Sequence, residues 1–351
     1  MTKNLPWTLT LKDSFLKQML RMPGMRAILY KARRLSCVND RPIPELRPGW
    51  ALIQVVKAGI CATDMEIIRG YGGFQGILGH EFVGVVHSAM PTEGAPDLTG
   101  RRVVGEINVG CGRCDWCRRG MERHCPERVA LGIRGLDGCM ADYCVLPLAN
   151  LRPVPGDMTN ETAVWTEPLS AALEILDQIN GTRYEKAAVL GDGRIGILCA
   201  WVLLTVVPEV TLIGRHREKL EKARWRGLNI RVGFSKDMAR CFDMVVEATG
   251  SETGLSHAVT LCRPRGTIVL KSTIATEIRV DLSRVVVNEQ TIIGSRCGRF
   301  DAGLEMLVSH PDMPLERLIS DQYPIEDGLK AFERAGQPGV LKVLIDMGMK
   351  P

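Results

Sequence analysis

The sequence predicts an α/β protein in which a β-rich domain is combined with a doubly wound parallel sheet. Its 351 residues exceed what one ordinary compact core holds and suit two domains. From Arg26 to about Pro153, short apolar runs lie between Gly and Pro turns, which is typical of an irregular all-β domain. Six short β runs follow, several separated by segments of helical length, and this alternation indicates parallel strands covered by helices. These runs are Ala187–Leu190, Val210–Ile213, Ile230–Val232, Asp243–Glu247, Thr267–Leu270 and Thr291–Ile293.

The composition bounds the class of protein. Hydrophobic residues make up 45% and charged residues 24%, which is ordinary for a folded globular chain. No apolar run approaches the roughly 20 residues that cross a bilayer, so we expect no membrane partner. The net charge of +5 is dispersed rather than gathered in arms, so we expect no nucleic-acid partner and a small-molecule substrate instead.

Residues 1–24 stand apart as an N-terminal extension. Apolar residues recur there at helical spacing among several lysines, which favours a docked or frayed helix; an organelle presequence is the alternative. The chain has 12 cysteines but no secretory h-region, and most of its cysteines are scattered. We therefore expect a reducing, cytoplasmic location with metal thiolates rather than disulfides.

Three metal-ligating residue types are dispersed along the first half of the chain. Cys61 lies in Gly-Ile-Cys-Ala-Thr-Asp, His80 and Glu81 in Gly-His-Glu, and Glu167 in Thr-Glu-Pro. A thiolate, an imidazole and a carboxylate can hold zinc while leaving a position for substrate. Each residue alone also has a structural explanation, as a small core cysteine or a hydrogen-bonded histidine. Spacing by itself does not bring these positions together.

Four cysteines form a local motif, Cys-x2-Cys-x2-Cys-x7-Cys. Four thiolates within one loop suit a closed tetrahedral structural zinc site. An iron–sulfur cluster is the main chemical competitor, and unliganded buried thiols are a further alternative. The four residues are Cys111, Cys114, Cys117 and Cys125.

A glycine motif follows the first β run of the alternating region. Leu190 leads into Gly-Asp-Gly-Arg-Ile-Gly, and the residues after it can continue as a buried helix. Gly191 permits a tight turn, Gly193 a close approach of pyrophosphate, and Gly196 close packing of helix on strand. In this context the motif, including Ile195, predicts a dinucleotide site; a purely structural turn is the alternative.

The end of the second β run bears on the choice of cofactor. An acidic residue there would accept hydrogen bonds from the ribose of NAD. The chain instead reads Ile-Gly-Arg-His-Arg, and Arg215 can make a charge-assisted contact with a 2′-phosphate. We therefore expect NADP to be preferred over NAD. The alternative is that these cations form the solvated first turn of a helix with relaxed preference.

Taken together, these strings are similar to the zinc-containing alcohol and polyol branch of the medium-chain dehydrogenase/reductase superfamily, over nearly all of residues 25–351. The resemblance implies a GroES-like catalytic domain interrupted by a Rossmann domain, with the active-site cleft between them. It implies residues 25–165 for the catalytic domain with the structural-zinc lobe, 166–296 for the Rossmann domain and 297–351 for the returning segment. The strings are those at 59–64, 79–81, 111–125, 167–169, 191–196, 247–250 and 323–327.

The resemblance also implies roles for individual residues in a catalytic zinc site. Cys61, His80 and Glu167 match zinc-ligand positions, and Glu81 exchanges with water as a ligand in some members. Glu167 stands where alcohol dehydrogenases often have cysteine, so either Glu81 or Glu167 is the direct ligand. Asp64 would orient His80, which fixes the tautomer of the imidazole.

Further residues are matched to proton transfer and to the cofactor. Thr63 corresponds to the hydroxyl that relays the substrate proton; an ordinary β-branched strand residue is the alternative. Thr249 and Gly250 lie where the family backbone approaches the cofactor, and Ser272 follows the next strand near the expected nicotinamide.

The expected activity is reversible oxidation of an alcohol or of a polyol or sugar hydroxyl, with hydride transfer to NADP and two zinc ions per chain. Two competing hypotheses remain. One is a zinc-free quinone or alkene reductase, and the other is an inactive, zinc-stabilised dinucleotide-binding protein. The family further implies a homodimer or homotetramer, and the substrate is not identified by the sequence.

Overall fold

The computed structural model describes residues 24–179, 181–273 and 277–348. The predicted N-terminal extension therefore lies, apart from Gly24, outside the described residues. Every helix within these ranges is too short or too polar to cross a membrane.

The β-rich part of the chain is built on a seven-stranded sheet. Its path runs β11-β6-β5-β3-β19-β18, and β10 also pairs with β3. Strand β19 lies antiparallel to β3, with Leu344 opposite Gly59. The end of the chain thus completes a sheet begun within its first hundred residues. The seven strands are β3 (Trp50–Gly59), β5 (Glu81–Ala89), β6 (Arg102–Gly105), β10 (Tyr143–Pro147), β11 (Leu151–Pro153), β18 (Ile319–Pro324) and β19 (Lys342–Asp346).

Two smaller sheets flank this one, each of three strands. The first has the order β2-β1-β4 and the second the order β7-β8-β9. The second belongs to the cysteine-rich lobe. The six strands are β1 (Met25–Lys31), β2 (Arg34–Arg41), β4 (Gly76–Ile77), β7 (Asn108–Val109), β8 (Val129–Leu131) and β9 (Gly135–Leu136).

The alternating region forms a six-stranded sheet in the order β14-β13-β12-β15-β16-β17. All of its pairings are parallel. The chain order reverses beside the central β12, which opens a crevice at the carboxyl ends of β12, β13 and β15. The α/β fold class predicted from the sequence is confirmed. The strands are β12 (Lys186–Leu190), β13 (Glu209–Gly214), β14 (Asn229–Val232), β15 (Phe242–Glu247), β16 (Cys262–Leu270) and β17 (Thr291–Gly294).

Ten α-helices connect or cover these sheets in the described residues. They are α1 (Ala62–Ile68), α2 (Asp115–Arg118), α3 (Asn160–Ala163), α4 (Thr166–Gln178), α5 (Arg194–Leu203), α6 (Arg217–Lys222), α7 (Gly254–Leu261), α8 (Leu282–Val287), α9 (Phe300–Ser309) and α10 (Gly328–Ala335).

Helix α5 follows the glycine motif and anchors it in the core. Its residues from Gly196 to Leu203 are all buried. Trp201 on this helix is fully buried, and its Nε1 donates a hydrogen bond to the carbonyl oxygen of Ala223 at 2.7 Å. Burial of an apolar side chain contributes about 1.5–3 kcal/mol. The buried residues of α5 therefore fix the position of its first turn, which follows the glycine motif.

Candidate active site and metal centres

The four predicted cysteines converge in the loop that contains α2. Their sulfurs all lie within 4.8 Å of one another. The sulfur of Cys114 is 3.5 Å from that of Cys117 and 3.7 Å from that of Cys125. A zinc–sulfur bond of about 2.3 Å gives a tetrahedron whose edges are about 3.8 Å, so the four thiols fit one tetrahedral ion.

The thiols of this lobe are not equivalent. The backbone N–H of Arg113 lowers the pKa of Cys111 to about 6, whereas burial raises the pKa of Cys117 to about 12. Cys117 and Cys125 are buried, while Cys111 and Cys114 are half-buried. A thiolate at Cys111 would therefore be available before the buried thiols lose their protons.

A second group is assembled by strand pairing. Cys61 follows β3 and caps α1, while His80 and Glu81 stand at the start of β5. Strands β3 and β5 are antiparallel with Gly59 opposite Glu81, which brings position 61 beside position 80. Donor atoms of Cys61, His80 and Glu81 all lie within 4.8 Å of one another. The fold thus gathers the thiol, the imidazole and one carboxylate that the sequence left apart.

Asp64 is fully buried and contacts both chain segments that carry this group. Its carboxylate accepts the backbone N–H of Cys61 at 2.8 Å and that of Gly79 at 3.2 Å. Its Oδ1 lies 3.4 Å from Nδ1 of His80. Burial opposes a charged imidazole, but Asp64 and Cys61 raise the pKa of His80 well above its usual value. The surroundings of His80 are therefore strongly negative and suit a cation.

The two carboxylate oxygens of Glu81 differ in their hydrogen bonding. Its Oε2 accepts a hydrogen bond from Nζ of Lys342, which opens β19, and both side chains are 1% exposed. The Lys342 ammonium also lies 5.0 Å from the ring centroid of Trp165. Glu81 Oε1 is buried and, within the described residues, has no hydrogen-bond partner. An unpaired carboxylate oxygen beside a thiol and an imidazole fits a zinc ligand.

Glu167 lies in the first turn of α4, near this group but not within it. Burial raises the pKa of its carboxyl to about 7, against the opposing influence of His80. Of the two carboxylates that the sequence left open as the direct ligand, the one gathered with Cys61 and His80 is therefore Glu81.

Thr63 lies in the first turn of α1 rather than in a strand. The thiol of Cys61 donates to its Oγ1 over 3.7 Å, and the side chain is half-buried. Its hydroxyl is thus next to the thiol, on a residue that is only half-buried, which suits a group that moves a proton outward.

The glycine motif forms the turn between β12 and α5. Gly191 has φ +118, and a Cβ there would lie 2.4 Å from the carbonyl oxygen of Ala248. A Cβ at Gly196 would lie 2.0 Å from the carbonyl oxygen of Gly191, so both positions require glycine. A Cβ at Gly193 would meet none of the described atoms within 4 Å. The missing side chain at Gly193 therefore leaves open space in front of the first turn of α5, where Arg194 and Ile195 follow.

The predicted cofactor residues Thr249, Gly250 and Ser272 lie beyond the carboxyl ends of the neighbouring strands β15 and β16. The backbone N–H of Gly250 donates to Oγ of Ser272 at 2.8 Å. Oγ1 of Thr249 donates to Oε1 of Glu247 at 2.5 Å. The two loops are therefore joined on the crevice side of the sheet.

Comparison with known proteins identifies the family. Residues 47–156 match the alcohol dehydrogenase GroES-like domain, and residues 160–347 match the glucose dehydrogenase C-terminus. The chain belongs to the zinc-type medium-chain dehydrogenase/reductase family. The resemblance inferred from its motifs is confirmed. This dehydrogenase is an alcohol dehydrogenase-like oxidoreductase of a family that uses zinc and a nicotinamide cofactor on small hydroxyl-bearing substrates.

Its relatives act on different hydroxyl compounds or carry different nicotinamide cofactors. The D-altritol 5-dehydrogenase of Agrobacterium fabrum is 27% identical over 91% of this chain and 98% of its own length. An alcohol dehydrogenase structure from Escherichia coli CFT073, complexed with NADH, is 28% identical, covers 92% of this chain and 99% of that one, and gives a TM-score of 0.83. A structure of a zinc-binding dehydrogenase of Sinorhizobium meliloti bound to NADP is 25% identical. It covers 93% of this chain and 100% of that one, with a TM-score of 0.82.

Two cations of this dehydrogenase, a buried lysine and a half-buried arginine, were missed by sequence reasoning. Lys342 neutralises Glu81, yet it lies in an ordinary terminal β run. Arg194, inside the glycine motif, donates from Nη1 to the carbonyl oxygen of Leu341 at 3.2 Å. Its Nη2 is buried and without a partner in the described part of the chain. Burial opposes its charge, but Cys61 and Glu81 raise the pKa of Arg194. The arginine at the fourth position of the glycine motif was the available signal.

Proposed function

We propose that this dehydrogenase reversibly oxidises an alcohol or polyol hydroxyl to a carbonyl, with NADP as the preferred hydride acceptor. The observation that carries the proposal is the group formed by Cys61, His80 and Glu81, whose carboxylate has one unpaired buried oxygen. These residues would hold the catalytic zinc, with Glu167 as an alternating or water-mediated ligand. The four-cysteine lobe would hold a second, structural zinc.

Zinc bound by Cys61, His80 and Glu81 would supply Lewis-acid activation of the substrate hydroxyl, and bound nicotinamide would accept the hydride. Thr63 takes the hydroxyl proton and passes it toward solvent, a role that its position beside the Cys61 thiol supports. The substrate carbon loses one hydride and its oxygen one proton, which leaves the carbonyl. The backbone N–H groups of Cys61 and Gly79 fix the Asp64 carboxylate, and its Oδ1, 3.4 Å from Nδ1 of His80, orients the imidazole.

The cofactor side of the site is built from the parallel sheet. The amides at the start of α5 bind the pyrophosphate in the open space in front of Gly193. Thr249, Gly250 and Ser272 line the approach of the nicotinamide half. Arg215 is exposed just beyond the end of β13 and supplies a cation for a 2′-phosphate. Because these cofactor residues all belong to the parallel-sheet region, we assign residues 166–296 to the cofactor domain. Residues 25–165 and 297–351 then form the catalytic domain.

The test combines metal counting with substrate screening on one sample. Simple alcohols, polyols and aldoses are assayed with both cofactors, and zinc is measured by mass spectrometry. About two zinc ions per chain and alcohol-dependent reduction of NADP are expected. One zinc ion and no turnover would instead indicate an inactive dinucleotide-binding protein. Turnover of quinones or activated alkenes only, without a second zinc, would indicate the zinc-free reductase.

We also propose that two copies associate through the edge of the parallel sheet at β17. Helix α8 precedes this edge strand and exposes three large apolar residues, Leu282 at 58%, Val286 at 74% and Val287 at 79%. Apolar side chains that are this exposed suit an interface between copies. Light scattering should show a dimer or tetramer for the native chain and a monomer for Val287→Asp; an unchanged mass for the variant would reject this surface.

A further inference from the structure

The second residue of the glycine motif reaches across to the end of the second strand of the parallel sheet. Oδ2 of Asp192 accepts the backbone N–H of Arg215 and that of His216, each at 2.6 Å. Nδ1 of His216 lies 3.0 Å from the same oxygen. Asp192 is only 8% exposed. One carboxylate therefore ties the β12–α5 turn to the turn that follows β13.

The Asp192 carboxylate occupies the space that a side chain at position 214 would fill. Gly214 is the last residue of β13, and a Cβ built on it would lie 2.4 Å from Cβ of Asp192 and 2.6 Å from Oδ2. In dinucleotide-binding sheets, the end of the second strand carries the acid that accepts hydrogen bonds from the adenosine ribose. Asp192 thus brings a carboxylate to that place from the first turn, and glycine at 214 makes room for it.

The carboxylate still has capacity to bind a ligand. Oδ2 takes three donors, whereas Oδ1 is approached by Nδ1 of His216 alone among the described atoms, at 3.2 Å. An ionised carboxylate offers about four acceptor positions in all. Burial opposes its charge, but hydrogen bonds from His216 and Arg215 lower the pKa of Asp192, so the group is anionic at neutral pH. Oδ1 can therefore accept a ribose hydroxyl.

We infer that Asp192 is a cofactor-specificity residue that accepts the adenosine ribose hydroxyls and opposes the 2′-phosphate preference conferred by Arg215. A phosphate in place of the 2′-hydroxyl would set two negative groups side by side, which is unfavourable at short range. Arg215, which is exposed in the same turn, attracts the same phosphate. The choice between NAD and NADP is then a balance between two residues whose effects have opposite sign. This inference rests on the proposed nucleotide site but not on the proposed substrate or metal.

The test measures binding of two probes that differ only in the 2′-phosphate, adenosine 5′-monophosphate and adenosine 2′,5′-bisphosphate. Titration calorimetry is carried out on the full chain and on Asp192→Asn, which keeps the size and one acceptor oxygen. We expect the preference for the bisphosphate to rise about tenfold in this variant. Arg215→Ser is the matched control, and its preference should fall. The double variant should return close to the native ratio.

Asp192→Ser guards against an effect particular to the asparagine side chain, because it also removes the carboxylate charge and should shift the ratio in the same direction. A fall in bisphosphate preference would mean that Asp192 merely positions Arg215 and His216, and would overturn the inference. An unchanged ratio would overturn it as well. Failure of both probes to bind the native chain would reject the nucleotide site itself. Normal binding without alcohol oxidation would reject only the proposed activity.

Discussion

The two cysteine-containing clusters of this protein are assembled in contrasting ways. The four-cysteine lobe draws all its donors from 15 consecutive residues and leaves two of them half-buried. The Cys61 cluster draws its donors from two elements joined by β3–β5 pairing, and the C-terminal β19 supplies Lys342 beneath it. The lobe is a local loop structure, whereas the second cluster lies where two strands of the main sheet pair. A metal in the lobe would therefore act mainly on stability, and one at Cys61 mainly on chemistry.

The largest expected effect tests this contrast directly. Cys125→Ser should remove one zinc ion and lower the unfolding midpoint by on the order of 10 °C, because the lobe would lose the structural ion that we propose for it. Cys61→Ser is the matched variant and should also lose one zinc ion, with a much smaller change in midpoint but no remaining turnover. Metal counting and thermal unfolding check both. Equal midpoints for the two variants would contradict the contrast.

The buried ion pair under the second cluster gives the next effect. Lys342→Met should destabilise the zinc-free protein, prepared with a chelator, by about 3–5 kcal/mol, because without metal it leaves Glu81 charged and unpaired in the interior. Denaturant unfolding measures the loss. The double variant Glu81→Gln with Lys342→Met removes both charges and should recover most of it. If the double variant is as unstable as the single one, packing against Trp165 rather than charge is the cause.

The proton path separates chemistry from metal binding at the same cluster. Thr63→Val should lower kcat about 100-fold while the zinc content stays the same, because the relay hydroxyl is replaced by a methyl group of similar shape. Thr63→Ser keeps the hydroxyl and should retain most activity. Rates are measured from pH 6 to 10. If Thr63→Val turns over at the native rate throughout this range, Thr63 is not the relay.

The smallest expected effect concerns an ion pair on the lobe. Arg113 and Glu127 lie 2.6 Å apart, but both side chains are largely exposed, at 78% and 53%. Glu127→Gln should leave the unfolding midpoint and zinc content unchanged, because solvent screens such pairs. A clear drop in midpoint would show that charge on the lobe surface, and not only the thiols, holds the lobe together.

The same contrast explains what could be predicted from the sequence. The alternating pattern gave the parallel sheet, and the cysteine spacing predicted a cluster whose sulfurs do converge, since both signals are local. Cys61, His80 and Glu81 were recognised through a resemblance, because only the β3–β5 register brings them together. Lys342 was missed because its partner is 261 positions away. Asp192 was passed over because the acid was expected at the end of β13. Gly214 stands there instead, and its missing side chain makes room for Asp192.

The pairing of β19 with β3 also has a consequence for biosynthesis. Strand β3 leaves the ribosome early, but its neighbour is made only after the whole parallel sheet has been translated. At bacterial or eukaryotic elongation rates this delay is on the order of tens of seconds. During that interval Glu81 has no Lys342 to neutralise it, and the Lys57–Gly59 end of β3, which β10 does not cover, lacks its partner strand. Chaperone dependence should therefore be concentrated in the half of the protein that is synthesised first.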